Sequence, residues 1–197
     1  MNSLLLATTN PGKIKEFKKL LAGRVPCREA YEPIPKIIED GKTYQENALK
    51  KAQAFYEIYQ GPVLADDSGL EVDVLRGQPG IHSARFGGEN KDWTERFAFL
   101  FTKLSDYPPD LWTARFRCVL CLYSSQGTQF FEETCEGKIV PVPSGANGFG
   151  YDPLFFSFDL NKTFGDASEA EKSQVSHRAK AIRALGHWLE KNSLPLS

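Results

Sequence analysis

Two consecutive carboxylates, Asp66-Asp67, followed by Ser68-Gly69, come directly after the apolar run Val63-Leu64-Ala65. Acids at the end of a predicted strand stand where α/β sheets usually bind ligands. Paired acids of this kind hold a hard cation through oxygen or activate a water. Adjacent residues of an extended chain point opposite ways, so the two are expected to do different work. The competing reading is a solvated turn, because Asp, Ser and Gly are turn formers. A second segment, Thr8-Thr9-Asn10-Pro11-Gly12-Lys13, leads from a predicted strand into a predicted helix. The amide end of a helix favours an anion, Gly12 allows close approach to the backbone, and Lys13 adds positive charge. It is not a Walker loop, since the first glycine is missing and Ile14 stands where a magnesium-binding hydroxyl belongs. The bland alternative is an ordinary capped helix.

Three further places carry reactive groups. Glu39-Asp40-Gly41 precedes a predicted helix on which Glu46 and Lys50, and Asn47 and Lys51, are four apart. Such pairs are usually surface ion pairs, but an Asn47–Lys51 edge facing a cleft would let Lys51 meet phosphate. The run Gly145-Ala146-Asn147-Gly148-Phe149-Gly150-Tyr151-Asp152-Pro153 has its glycines in the reverse order of the dinucleotide fingerprint and precedes a strand, so a Rossmann site is excluded. A glycine-rich loop with Phe149 can instead lay a ring against a base, or serve as a tight turn beside core aromatics. Finally, Lys172 precedes Ser176-His177-Arg178. With Ser176 as cap, His177 and Arg178 fall in a first helical turn, where positive charge opposes the helix dipole. Basic residues there point to an anionic or carbonyl partner. His82 and His187 stand alone and no zinc site is expected.

These groups must be held by a predictable set of elements. A short strand spans Ser3 to Thr8. Asn10-Pro11 then starts a helix with Ile14, Phe17, Leu20 and Leu21 on one stripe, ending near Gly23. Residues 24–42 read as irregular. Thr43-Tyr44-Gln45-Glu46 is a capping box for a helix to Gln60 that buries Ala48, Ala52 and Phe55. Val63 to Ala65 is a strand, and Leu70 to Leu75 a separate one. Asp92-Trp93-Thr94-Glu95 caps a helix through Phe97, Leu100, Phe101 and Leu104. Trp112–Tyr123 and Gln129–Val140 form a hairpin around Gln126-Gly127. Tyr151 to Phe156 is a strand, and one helix runs from Ser176 to Asn192 with Ile182, Leu185 and Leu189 inside. Helices alternating with strands, then a late hairpin, give a mixed sheet with helices packed on it, an α/β fold.

Composition excludes several classes. The chain of 197 residues fits one domain. Lys plus Arg number 24 against 25 Asp plus Glu, a net charge of −1, which argues against a protein that coats nucleic acid or an anionic membrane. No apolar run approaches a membrane span, and Leu4 to Ala7 is too short for a signal-peptide core, so a cytoplasmic location is expected. Cys118 and Cys121 sit in a predicted strand that would point their thiols to opposite faces. With no partner motif, the four cysteines read as structural rather than redox-active or zinc-binding.

Taken together and in this order, the segments resemble the inosine triphosphate pyrophosphatase family, also called the Ham1 family, in its bacterial branch. The pieces are Ala7-Thr8-Thr9-Asn10-Pro11-Gly12-Lys13, Glu46-Asn47-Ala48 with Lys51-Ala52, Ala65-Asp66-Asp67-Ser68-Gly69-Leu70, Pro79-Gly80-Ile81 with Ser83-Ala84-Arg85, Phe149-Gly150-Tyr151-Asp152-Pro153, and Glu171-Lys172 with Ser176-His177-Arg178. Thr9 departs from the pattern, where Gly or Ser is frequent. The resemblance implies a long central mixed β-sheet flanked by helices, with two lobes and the active-site cleft between them, residues 1–197 forming one α/β domain that assembles as a homodimer. It implies Mg2+-dependent hydrolysis of ITP, dITP and XTP to the monophosphate and pyrophosphate, which clears deaminated purine nucleotides. The substrate is a small-molecule nucleotide, with no nucleic acid or membrane partner.

The same resemblance assigns roles. Thr8, Thr9, Asn10, Pro11, Gly12 and Lys13 hold the triphosphate, and Lys51 assists. Glu39 and Asp67 are magnesium ligands, with Asp66 sharing the work, and Asp67 also orients or deprotonates the attacking water. Ser68 contacts substrate. Phe149, within the loop that includes Gly150 and Tyr151, stacks on the base, whose edge is surrounded by Asp152, Lys172, His177 and Arg178. Donors aimed at a 6-oxo group accept hypoxanthine and xanthine and meet the 6-amino group of adenine donor to donor; discrimination against guanine must act near its 2-amino group. Two rivals are a Maf-type pyrophosphatase with other base preferences and a nucleotide-binding protein that does not hydrolyse. The Ser176-His177-Arg178 and Phe149-to-Asp152 elements argue against the first, Asp66-Asp67 and Lys13 against the second.

Overall fold

Leu4, Leu5 and Leu6 are all buried, as a strand covered on both faces requires. They form β1 (Leu4–Leu6) in a computed structural model that describes residues 3–192; residues 1–2 and 193–197, which the expected 1–197 domain span includes, lie outside the described residues. Asn10 caps α1 (Pro11–Leu21) by accepting from the Lys13 N–H, with Pro11 at the first helical position, as its sequence predicts. A three-residue strand, β2 (Cys27–Glu29), breaks the stretch expected to be irregular, and pairs in parallel with β1. Thr43 caps α2 (Tyr44–Tyr59), which ends at Gln60 in the left-handed conformation. The capping box is only half made there, because Glu46 accepts from the N–H of Lys42 rather than of Thr43.

The largest departure from expectation follows. β3 (Val63–Val72) is one continuous ten-residue strand running through Asp66-Asp67-Ser68-Gly69, not two strands separated by a turn. It pairs in parallel with β1. α3 (Trp93–Leu104) opens on a complete capping box between Asp92 and Glu95. β4 (Thr113–Ser124) and β5 (Gly127–Ile139) are neighbours joined by a two-residue turn, the expected hairpin. β6 (Phe155–Ser157) begins later than expected, and β7 (Lys162–Thr163) was not foreseen; both pairings, β5 with β6 and β6 with β7, are antiparallel. A short helix that was not expected, α4 (Glu169–Val175), precedes the expected final helix, α5 (His177–Lys191). α4 has its own Ser168–Glu171 capping box, and Ser176 lies extended between the two.

The seven strands form a mixed sheet in the order β2-β1-β3-β4-β5-β6-β7, and the chain is an α/β protein. It divides into two compact units. One comprises Met1–Asp67, Cys118–Glu133 and Arg178–Ser197; the other Ser68–Arg117 and Thr134–His177. The core of the first joins Leu4, Leu6 and Leu64 of the sheet to Phe17 and Leu21 of α1 and Ile182 and Leu185 of α5. The core of the second joins Leu70, Leu100, Leu104, Phe116, Phe155 and Phe164. Cys118 and Cys121 are fully buried and reduced, and burial pushes both thiols up to about 12, away from reactivity. Among the described residues no helix is long and apolar enough to cross a membrane.

Gly137 of β5 shows how tightly the second unit closes. A Cβ at this position would lie 2.2 Å from the carbonyl oxygen of Phe156 and 2.6 Å from the ring of Phe155. Neither a backbone oxygen nor a core ring can retreat without moving β6. Gly137→Ala is expected to lower the unfolding free energy by about 3 kcal/mol, the upper end for overpacking, read from urea denaturation; a loss below about 0.5 kcal/mol would show that β6 yields freely.

Candidate functional site

Alternation along β3 decides what each acid meets. Asp66 shares the side of Leu64, the side that packs on α1 and α5. There its carboxylate takes an ion pair from Lys13 at 2.8 Å, with an Arg178 nitrogen at 3.6 Å. Arg178 is itself 2% exposed and is paired to Glu16. Burial would raise the Asp66 carboxyl, but Lys13, Arg178 and Lys51 outweigh it and hold the group well below the usual carboxylate range. Asp66 therefore remains an anion at any working pH, surrounded by cations.

Asp67 takes the opposite side, toward α2, and meets a different environment. Its Oδ2 accepts from Nδ2 of Asn47 at 3.1 Å. Burial pushes its carboxyl up to about 6; Lys51, Lys13 and the Asn47 hydrogen bond pull down, and the charge of Glu39 adds to the rise. Lys51 is buried too. Its Nζ donates to the backbone oxygen of Asp66 at 2.8 Å and pairs with Glu39 at 2.9 Å. Burial alone would lower the Lys51 ammonium, but Asp66, Glu39 and Asp67 together raise it. Within the chain Lys51 thus bridges the Asp66 backbone and Glu39.

The loop before α2 is fastened to that helix residue by residue. Glu39 pairs with Lys51 (2.9 Å) and Asp40 with Lys50 (2.5 Å). The Gly41 N–H donates to Oδ1 of Asn47 (2.8 Å), and the Lys42 N–H to Glu46 (2.6 Å). The order of partners runs backwards along the helix, so the loop lies along α2 and delivers Glu39 toward Lys51. In the turn before α1, the Thr8 hydroxyl accepts from the Asn10 N–H at 3.2 Å, and Thr9 and Asn10 are exposed. Lys13 is half-buried over Asp66.

The expected ligand set of Glu39, Asp66 and Asp67 is not gathered as three carboxylates. Among the described residues no three His, Cys, Asp or Glu side chains converge as metal ligands. Asp66 faces cations on the other side of the strand. Glu39 and Asp67 are the acids whose charges act on each other. Two carboxylates, one of them buried and raised by the charge of the other, offering oxygen only, fit a hard divalent cation that takes its remaining ligands from water or phosphate.

In the second unit the glycine-rich loop is built around Asp152. Its Oδ2 accepts from the Phe149 N–H (2.8 Å) and from Lys172 Nζ (2.7 Å), with both Asp152 and Lys172 buried. The Lys172 ammonium lies over the rings of Phe149 (5.1 Å) and Phe164 (5.3 Å). Gly148, at φ +75°, has room only for hydrogen, because a Cβ would sit 2.0 Å from Asp152 Oδ2. Phe149 and Gly150 are half-buried, whereas Tyr151 is core: its hydroxyl donates to the Ser83 carbonyl (3.3 Å) and its ring packs edge-on to Trp93. Ser68, half-buried, starts this unit's part of β3. His177 is buried and stacks on Phe116 with ring centroids 4.8 Å apart.

The adjacent His177 and Arg178 have different partners within the chain. His177 joins the second unit, and Arg178 joins the first, where Glu16 and Asp66 offset the desolvation of its guanidinium. Sequence reading missed Glu16, which carries no signal beyond an ordinary charge on a helix. Asn47 did carry one: an amide on the stripe of α2 that also buries Ala48, Lys51, Ala52 and Phe55.

Comparison with known proteins places this geometry in context. The sequence model of the Ham1 family matches residues 4–188. A dITP/XTP pyrophosphatase of Shouchella clausii (strain KSM-K16) is 43% identical over 193 residues, 96% of this chain and 98% of that protein. Another dITP/XTP pyrophosphatase, from Halalkalibacterium halodurans, is 44% identical over 194 residues, 96% of this chain and 100% of the other. The solved structure of the Staphylococcus aureus Ham1 protein superposes with a TM-score of 0.84 at 37% identity, covering 95% of this chain and 98% of that one.

Asp67 gains protons more readily in the folded chain, near pH 6, than a free carboxyl does near 3.8. Its contribution favours folding below the lower value and is lost as pH rises through the upper one, a change of about 3 kcal/mol. Without divalent cations, Asp67→Asn should therefore melt higher than the parent at pH 7.5, and the gap should close as pH falls toward 4. A variant that melts lower at pH 7.5 would contradict this electrostatic account.

Proposed function

The chain belongs to the Ham1 family, and from that membership we propose that it is a nucleoside-triphosphate pyrophosphatase that hydrolyses ITP, dITP and XTP to the monophosphate and pyrophosphate. The observation that carries the reading is the division of labour on β3: Asp66 ion-paired to Lys13 with Arg178 beside it, next to a buried Asp67 that turns to Asn47 on the other side. The reaction belongs to the nucleotide pool of the cytoplasm, with the enzyme as a homodimer, as the family resemblance implies.

Lys13, with the positive end of α1, takes the triphosphate; Thr8, Thr9, Asn10, Pro11 and Gly12 shape the turn that receives it. Asp66 fixes Lys13 from below, which places the ammonium without neutralising the whole cluster, because Arg178 and Lys51 add further positive charge. A magnesium ion would be held by Asp67 and Glu39 and would supply charge neutralisation on the phosphate oxygens. Asp67, as its carboxylate, orients a water toward the α-phosphorus and accepts its proton. The new bond joins that water oxygen to the α-phosphorus, the α–β bridging bond breaks, and pyrophosphate leaves with the bridging oxygen. No covalent intermediate on the protein is needed, since catalysis here is positioning and electrostatics.

Phe149 supplies the ring for the base, with the Lys172 ammonium and His177 as donors for its edge. A 6-oxo group satisfies such donors. A 6-amino group leaves one buried and unmatched, worth about 1–3 kcal/mol against ATP.

Pyrophosphate release from ITP, dITP, XTP and ATP, with magnesium and with excess EDTA, tests the reading: ITP, dITP and XTP are expected to react and ATP to lag, and full activity in EDTA would refute the metal requirement. Asp67→Asn is expected to lose about 10²–10⁴-fold in single-turnover release while remaining folded; near-parental turnover would remove Asp67 from proton transfer. Lys172→Ala is expected to lower the ITP-to-ATP ratio of kcat/KM by about tenfold, whereas Lys13→Ala should weaken every triphosphate alike. Equal losses across the panel for both variants would reassign Lys172 to a structural role.

A further inference from the structure

Asn47 is a polar side chain of the first unit with both ends of its amide engaged and no catalytic role to explain it. It is fully buried on α2. Its Oδ1 accepts from the Gly41 N–H at 2.8 Å, and its Nδ2 donates to Asp67 Oδ2 at 3.1 Å. One planar amide thus spans from the loop that carries Glu39 to the strand that carries Asp67. The rigid amide leaves little slack: both hydrogen bonds hold only when loop, helix and strand are in register. The loop is shaped to the amide as well. A Cβ on Gly41 would lie 2.5 Å from Asn47 Oδ1 and 2.9 Å from Glu46 Cβ, so residue 41 is glycine because Asn47 needs its space. Of the other loop contacts, Lys50 with Asp40 and Glu46 with the Lys42 N–H are exposed, and the buried Lys51 holds the Glu39 side chain, whereas Asn47 ties the loop backbone to Asp67.

We propose that Asn47 is a positioning residue that sets the Glu39 loop and the Asp67 carboxylate at a fixed separation for cation binding and attack by water. The proposal rests on the functional reading above. Asn47 reaches no phosphate-binding residue, so its effect is on the reacting end of the site. A polar group is kept on the buried stripe of α2 because an apolar one would leave both the Gly41 N–H and the Asp67 oxygen without this partner.

The test compares the parent with Asn47→Ala and Asn47→Asp by two readouts: pyrophosphate release over a range of ITP concentrations, and the rise in melting temperature produced by magnesium alone. Asn47→Asp is nearly isosteric and keeps an acceptor for the Gly41 N–H, but it has no N–H to offer Asp67. Asn47→Ala loses both contacts. Asn47→Ala is expected to lower kcat per folded molecule by about 100-fold, and Asn47→Asp by at least about tenfold, the scale of sub-ångström to one-ångström misplacement. KM for ITP should stay within about threefold, since binding at Lys13 is untouched. The magnesium-induced melting shift should fall below half in Asn47→Ala. If Asn47→Ala does not fold, the kcat-against-KM split of Asn47→Asp decides the matter. A kcat within about threefold of the parent in the folded variants overturns the proposal, as does a rise in KM without a fall in kcat. A parent that releases no pyrophosphate from ITP would contradict the functional reading instead. The magnesium shift would still judge Asn47 in that case, an undiminished shift in Asn47→Ala counting against it.

Discussion

Two carboxylates next to each other on a β-strand must face opposite sides of the sheet, and everything proposed for this protein depends on what the fold puts on each side of Asp66 and Asp67. On one side α1 and α5 bring Lys13 and Arg178, so Asp66 is held as an anion well below the usual carboxylate range. On the other, α2 brings an amide and the loop before it brings another acid, so Asp67 is an anion reluctantly. The chemistry of the site is this asymmetry. In the reaction proposed above, Asp66 holds the cations that meet phosphate, and Asp67 takes the proton.

Poise of this kind is stored against stability. Buried charges are tolerated where partners offset their desolvation, as around Arg178 and Asp66. Glu39 and Asp67 carry an excess of negative charge that Lys51 only partly relieves. Folded proteins accept such local conflict at functional sites and compensate for it elsewhere, here in the apolar core of Leu4, Leu6, Leu64, Phe17 and Ile182 in the same unit. The glycine-rich loop follows the same logic with opposite sign. Asp152 and Lys172 are buried as a matched pair, and the ring of Phe149 is held by the cation above it.

Much of this was legible in the sequence where the signal is local. Asn10-Pro11 and Asp92–Glu95 marked helix starts because a cap is a contact between residues three apart. Alternation in Trp112–Tyr123 marked β4. The break expected in β3 shows where local signals fail. Asp-Asp-Ser-Gly reads as a turn by propensity, but here it lies inside the sheet between β1 and β4, and its acids bind Lys13, Arg178 and Asn47, all distant in sequence. The C-terminal helix was legible as α5, but α4 before it was not: Ser168 and Glu171 have the spacing of a capping box, yet seven residues carry no apolar stripe to mark a helix. The motif residues themselves were found by type and order. Their grouping was not, since nothing in Ser176-His177-Arg178 tells that His177 stacks on Phe116 while Arg178 turns to Glu16.

The opposed states of the two acids can be read directly. Aspartate carboxyl carbons labelled with 13C, followed by NMR as the magnesium-free protein is titrated, report each ionisation separately. The account predicts one buried aspartate, assigned to Asp67 by its loss in Asp67→Asn, titrating near pH 6, and Asp66 remaining ionised to the lowest pH at which the chain stays folded. Two ordinary titrations near pH 4, or an Asp66 that takes its proton before Asp67, would contradict it.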